Sequence, residues 1–197
     1  APPPFDMPRA GWMDYHIRKA TLEDRAALER LIAESARGLS RGDYSEEQIE
    51  AAIASVFGVD TDLIRDGTYY VAEAGGEPVG CGGWSKRKTL FGGDRYAARD
   101  SGELDPRTEP AKIRAFFVHP GWARRGVAGA ILSTCEREAR ARGFRAVELM
   151  ATLPGVRLYA ARGYEAGGRV AYEVAEGVRV EFVPMRKELK ETMNEER

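Results

Sequence analysis

Arg124-Arg125-Gly126 is the stretch whose residue types and spacing point most directly to a chemistry. It follows Ile113 to Val118, an apolar-rich run of strand type. His119-Pro120-Gly121 stops that run, because proline has no N–H to give a sheet ladder. From Val127 onward, Val127, Ala128, Ile131, Leu132 and Cys135 fall at i, i+1, i+4, i+5 and i+8, the spacing of one helix face. The first N–H groups of a helix have no internal partner. The helix dipole adds partial positive charge there, and Arg124 and Arg125 add two full charges. Such a turn suits an anion, and a pyrophosphate is its natural guest. The donors would be the N–H groups of Arg124, Arg125, Gly126, Val127, Ala128 and Gly129. The other glycine-rich phosphate motifs fit worse, since the chain has neither GxxxxGK[ST] nor GxGxxG after a strand. An ordinary strand-to-helix connection is the competing reading.

Other chemistries have less to work with. His16 and His119 are the only histidines, and Cys81 and Cys135 the only cysteines, set far apart. That composition disfavours a metal site or a disulfide framework. The 197 residues suit one domain with a real core. Lys and Arg total 30 against 31 Asp and Glu, a formal charge of -1, so no general pull toward nucleic acid or an anionic membrane is expected. No apolar run approaches the ~18 residues of a spanning helix. No signal peptide is evident either, and a reducing cytoplasm is the simplest compartment. The sequence leaves a homodimer open.

The elements that must hold the turn follow from periodicity and punctuation. Residues 1–13 read as a proline-rich tail, 14–188 as one domain and 189–197 as a charged tail. Asp14 to Ala20 is a first strand. Thr21 caps a helix with Leu22, Ala26, Leu28, Leu31 and Ile32 on its core face. Arg41 to Tyr44 is a turn. Ser45 caps a second helix that buries Ile49, Ile53, Val56 and Phe57. Asp66-Gly67 signals a turn before a hairpin, Thr68 to Ala74 and Pro78 to Trp84, closed at Gly75-Gly76-Glu77. Gly80, Gly82 and Gly83 suggest a bulge or a close approach. Lys86 to Pro110 exceeds ordinary loop length and is assigned to the acceptor side of the site as a segment that moves; a solvated insertion is its plain alternative. The helix from Val127 ends at Arg142-Gly143. Ala146 to Ala151 follows as a strand, parallel to Ile113–Val118 by a right-handed crossover. Pro154 to Arg162 is a short helix stopped by Gly163. Val170 to Ala175 and Val178 to Met185 form a last hairpin.

VHPGWARRGVAGAIL resembles the acyl-coenzyme A signature of the GNAT N-acetyltransferase superfamily, Gln/Arg-x-x-Gly-x-Gly/Ala after a strand ending in Val-x-Pro. Gly126 and Ala128 match the small positions, while Ala123 stands where the family has Gln or Arg. LPGVRLYAARGYE resembles a second segment of the same family through Leu158-Tyr159, Gly163 and Tyr164. The resemblance implies an α/β three-layer fold: a mixed, mostly antiparallel twisted sheet flanked by helices, with a splayed central parallel strand pair. It also implies transfer of the acetyl group of acetyl-CoA, a co-substrate, directly to a primary amine of a small molecule or peptide, without a metal. A non-catalytic acyl-CoA-binding or regulatory module of the same fold is the alternative.

The resemblance implies that the pantetheine arm lies between the two parallel strands and pairs with the main chain of Phe116, Phe117 and Val118. The Val118 N–H would then stabilise the oxyanion. Tyr159 falls on the family's catalytic tyrosine, placed to donate a proton or hydrogen bond as the C–S bond breaks. The general base is not legible: Lys112 and Arg114 occupy the strand where the family often has one, and Glu73, Glu148, Asp100 and Glu103 remain. A covalent relay through Cys81 or Cys135 is disfavoured. Trp84, Phe116 and Tyr44 could wall an aromatic acceptor pocket, with Trp122 beside the phosphate turn. If Arg114 faces the acceptor, it favours a carboxylate-bearing amine.

Overall fold

The computed structural model describes residues 14–96 and 100–191. The proline-rich tail at residues 1–13, the end of the charged tail from 192 and residues 97–99 of the long loop lie outside them. Among the described residues eight strands form one sheet: β1 (His16–Lys19), β2 (Tyr69–Ala74), β3 (Glu77–Ser85), β4 (Ala111–Val118), β5 (Ala146–Thr152), β6 (Glu165–Ala166), β7 (Val170–Ala175) and β8 (Val178–Glu188). Their order is β1-β2-β3-β4-β5-β8-β6, with β7 also paired to β8. Every pairing is antiparallel except β4 with β5. The helices are α1 (Arg25–Leu39), α2 (Glu46–Ser55), α3 (Thr61–Asp66), α4 (Val127–Ala141) and α5 (Val156–Ala161).

The helices form where their caps and spacing dictate. In α1, Leu28, Leu31, Ile32, Ser35 and Ala36 are buried, a stripe at i, i+3, i+4, i+7 and i+8. Leu22 and Ala26 do not join it: Leu22 sits in the 3-10 turn Leu22–Asp24 and is 49% exposed, and Ala26 is exposed as well. Ser45 and Gln48 make a reciprocal capping box on α2, with Gln48 N donating to Ser45 Oγ at 3.1 Å and Ser45 N to Gln48 Oε1 at 2.9 Å. α3, only six residues long, lies just before the expected Asp66-Gly67 turn. Asp60 caps it through the Asp62 N–H, and Gly67 closes it at φ 71.

The sheet separates two cores. On the α4 face, Ile113, Val127, Ile131, Leu132, Cys135, Val147 and Leu149 pack together. On the other face, α1, α2 and α3 cover Val71, Cys81 and Phe182 with Leu28, Ile32, Ile49 and Leu63. The glycines of β3 satisfy both expectations made for them. The register shifts between Cys81 and Gly83: these two positions pair with Phe117 and Arg114, so β4 carries one residue more than β3 opposite it. Ala115, inside that bulge, has φ 56. Gly82 is a close approach, since a Cβ there would lie 2.7 Å from the Phe116 ring.

β4 and β5 are in register only at Ala111↔Val147 and Lys112↔Glu148. Beyond those pairs β4 stays with β3 as far as Val118, and β5 stays with β8 as far as Thr152. The two strands part, and a gap opens in the middle of the sheet.

Candidate functional site

The gap begins at the turn between β4 and α4. His119 fixes that turn: its N–H donates to Val79 O at 2.9 Å, and its Nδ1 accepts from the Gly121 N–H at 3.0 Å. Pro120 packs on Gly38 of α1, where a Cβ would stand 2.3 Å from Pro120 Cγ. Trp122 is buried and carries the Arg125 guanidinium 5.0 Å from its ring centroid. Arg124 has φ 61 and Gly126 φ 81. For an arginine that conformation costs roughly 1–2 kcal/mol, and such strain persists where the surroundings fix it. The first helical bond of α4 runs from Ala130 N to Gly126 O at 3.0 Å, so the N–H groups of Val127, Ala128 and Gly129 lie ahead of it.

Arg162 brings a third cation to this helix start. A Cβ built on Gly129 would lie 1.9 Å from Arg162 Nη2 and 2.5 Å from its Cζ, so the guanidinium rests on the bare backbone of the first turn. The first turn of α4 contains no acid. Arg162 rests on the first turn, and Arg124 and Arg125 immediately precede it in the chain, so positive charge gathers at the positive end of the helix, and an anion there would offset it. The sequence signals for this contact were Gly129, an N–H donor with no evident need to be glycine, and Arg162, at the end of α5.

The gap leads inward to a cleft of about 590 Å³, counted to its open mouth. Phe116 from β4 and Met150 from β5 line it, with Phe57, Phe91 and Phe117 behind them and Tyr159 of α5 at the side. Tyr159 is buried, with its ring edge-on to Phe116 at 6.4 Å and to Tyr164 at 5.6 Å. Burial pushes its phenol well above the ordinary value near 10, so it stays protonated at neutral pH.

Four expected site residues stand elsewhere or are already engaged. Trp84 is fully buried on the α4 face, where its Nε1–H meets Glu138 Oε2 at 3.2 Å and its ring packs on Phe144. Tyr44 is a latch: its hydroxyl donates to Glu181 O at 2.6 Å and accepts from the Leu153 N–H at 2.9 Å. Arg114 does reach the cleft, but its guanidinium is buried in an ion pair with Asp60 and also meets Gly92 O. The carboxylate expected from an acceptor is therefore supplied by the chain itself. The Val118 N–H donates to Ser35 Oγ at 3.2 Å, and Val118 does not line the cleft. His119 N and Val79 O place alternate N–H groups of β4 toward β3. Phe116 lies within the bulge and lines the cleft.

The acids weighed as bases are all engaged away from the cleft. Glu73 pairs with Arg18, Glu148 with Lys112 and Glu103 with Lys86, while Asp100 accepts from the Gly102 N–H. Among the described residues lining the cleft there is no carboxylate and no imidazole. Both thiols are buried; burial pushes Cys81 up to about 12 and raises Cys135 well above its usual value.

The long loop does shape the cleft, through Leu90 to Gly93, but it is anchored. Arg87 chelates Asp66 at 2.7 and 2.8 Å, and Lys88 N and Leu104 N donate to Gly102 O and Lys86 O. At the tip, Gly93 N bonds to Val56 O at 2.8 Å, Asp94 N to Val59 O at 3.0 Å, and Asp94 Oδ1 accepts from Thr61 N at 2.8 Å. Gly58 and Gly93 cross there, with a Cβ on Gly93 2.9 Å from the Gly58 backbone. Over its described length the loop expected to act as a lid is tied to its surroundings at these points.

Among the described residues no three His, Cys, Asp or Glu gather to hold a metal ion, and no helix is long and apolar enough to cross a membrane. The sequence model of the acetyltransferase (GNAT) family matches residues 26–164. No curated protein sequence matches the chain. Among solved structures, a GCN5-related N-acetyltransferase from Rhodopseudomonas palustris is 24% identical, with a TM-score of 0.66 over 91% of this chain and 100% of that one. PaiA N-acetyltransferase from Thermoplasma acidophilum, in complex with coenzyme A, is 18% identical, with a TM-score of 0.60 over 89% and 99%. N-acetylglutamate synthase from Neisseria gonorrhoeae, complexed with coenzyme A and N-acetyl-glutamate, is 16% identical, with a TM-score of 0.54 over 92% of this chain and 36% of that one.

Proposed function

The chain belongs to the acetyltransferase (GNAT) family, and on that premise we propose that it transfers an acetyl group from acetyl-coenzyme A directly to a primary amine. The observation that carries this reading is the acid-free start of α4, ringed by Arg124, Arg125 and Arg162 and opening on the β4–β5 gap. Two structural relatives bound to coenzyme A support it.

Acetyl-coenzyme A supplies an activated thioester. The N–H groups of Arg124 to Gly129 and the three arginines hold its pyrophosphate. Phe116, Phe117 and Val118 offer their main chain to the arm, with Ser35 Oγ yielding the Val118 N–H. The Phe116 N–H, on the residue that packs against Tyr159, is the donor for the developing oxyanion. The amine nitrogen bonds to the carbonyl carbon, the C–S bond breaks, and Tyr159 gives its proton or a hydrogen bond to the departing sulfur. The amine attacks in its neutral form, and the proton its nitrogen sheds as the amide forms passes to water or restores Tyr159, in keeping with a cleft whose described lining has no base. Neither cysteine acts as a relay, since both thiols are buried and protonated.

That same lack of a base favours a second reading, a module that binds acyl-coenzyme A without turnover. Thiol release from acetyl-coenzyme A over a panel of amines, alongside calorimetry with coenzyme A, separates them. Binding with turnover supports transfer. Binding without turnover on any amine supports the module.

A further inference from the structure

We infer that the acceptor is a primary amine on an apolar body, aromatic or branched aliphatic, with no carboxylate beside the amine. This rests on the acetyl-transfer reading above and concerns the other half of the same cleft. The wall facing Tyr159 is a cluster of rings. Phe91 packs on Tyr172 at 4.6 Å, on Tyr96 at 4.9 Å and on Phe182 at 5.4 Å, while Phe57 meets Phe117 at 5.5 Å. Leu90, Phe91, Phe116, Phe117 and Met150 are all only half-buried, and all line the cleft. Their uncovered apolar surface faces the space that a body attached to the amine would fill, and covering it is favourable.

The charge pattern excludes the alternatives. Arg114 is the one cationic residue among those lining the cleft, and Asp60 neutralises it where both side chains are almost wholly buried. An acceptor carboxylate would be desolvated against rings with no counter-charge to meet it. A polyamine would bring further cations to a lining that offers no carboxylate among the described residues. The wall is held from two sides. Gly93 and Asp94 tie the loop tip to the Val56–Thr61 connection, and Gly82, by lacking a side chain, lets the Phe116 ring lie back against β3.

The test uses the full chain with saturating acetyl-coenzyme A and compares kcat/KM for phenylethylamine, isoamylamine, glutamate and spermidine. The apolar amines should exceed the charged ones by about tenfold or more, the discrimination that one or two apolar contacts provide. Phe91→Ala should raise KM for phenylethylamine by about tenfold, the same contact range, with the dissociation constant of coenzyme A unchanged. Leu90→Ser, outside the ring cluster, should act in the same direction, so the result stands if Phe91→Ala fails to fold. Glutamate or spermidine equal to or better than the apolar amines overturns the inference and leaves acetyl transfer standing. Coenzyme A binding without thiol release on any of them overturns both.

Discussion

The proposed phosphate end of the cleft is one turn and one helix start, His119 to Gly129, presenting N–H groups and arginines at the surface. The proposed acceptor end is a partly buried wall gathered from Phe57, Phe91, Phe117 and Phe182, separated by many residues in sequence. At the first end, function rests on backbone direction and on charge, and a few neighbouring residues settle both. At the second it rests on side chains that meet only when three layers have packed. The first end should be more sensitive to changes of φ than to the loss of any one side chain. The second tolerates little change of shape.

Tyr159 stands where the two ends meet, and the largest effect is expected there. Tyr159→Phe keeps the ring against Phe116 and Tyr164 and removes the hydroxyl. Turnover should fall by about 10- to 1,000-fold with coenzyme A affinity unchanged, as for a group acting in the transition state. Wild-type turnover, with chemistry limiting the rate, would reduce Tyr159 to packing.

Gly126→Pro tests the phosphate end alone. Proline fixes φ near −65°, whereas Gly126 sits at φ 81. The turn cannot form, and coenzyme A affinity should drop by about 100-fold or more, matching the ~3 kcal/mol cost of a misplaced proline. The melting temperature should fall by several degrees, because the misfit is in the backbone, with the chain still folded where affinity is measured. Calorimetry showing intact affinity would remove the cradle from the account.

Smaller losses should follow from the arginines. Arg124→Ala, Arg125→Ala and Arg162→Ala should each cost roughly 1–2 kcal/mol of coenzyme A binding, the range of charge-assisted hydrogen bonds. Gly129→Ala should match Arg162→Ala, because its Cβ would expel that guanidinium. Acetyl-pantetheine, which has no pyrophosphate, should be used equally well by all four variants and the wild type. Unequal use would mean the variants act through the fold.

The last expected effect is on stability and concerns the interior beneath both ends. Burial raises Tyr44 from 10 to about 12 and Cys81 from 9 to about 12. Above the unfolded values the denatured chain gives up these protons while the native chain retains them, which favours unfolding. The melting temperature should therefore be level through neutral pH and fall progressively between about pH 9 and 12. A level profile across that window would show that these groups are not buried as described.

What was legible in the sequence follows the same division. The Gly126 turn, the Ser45 cap and the Gly75-Gly76 hairpin are each set within a few residues, and the structure forms each of them. α3 has six residues and β6 two, too short to show a period. Strand alternation places Trp84 on a face but does not say which face, and the bulge in β4 shifts the pairing beside it. The Arg114–Asp60 pair joins a strand to a helix cap 54 positions away. Nothing local marks it, so Arg114 read as a free cation. The rings around Phe91 were hidden in a segment poor in apolar residues.

The parting of β4 and β5 also has a mechanical meaning. Two half-sheets, β1 to β4 and β5 to β8, are stitched at Ala111↔Val147 and Lys112↔Glu148. Under tension this seam is where the molecule would tear, with the α4 crossover as the tether that remains. An amide-bearing arm seated in the gap would act as a short ninth strand, lengthening the seam from the inside. The force needed to separate the halves would then report occupancy of the gap, with the ligand serving as part of the weave.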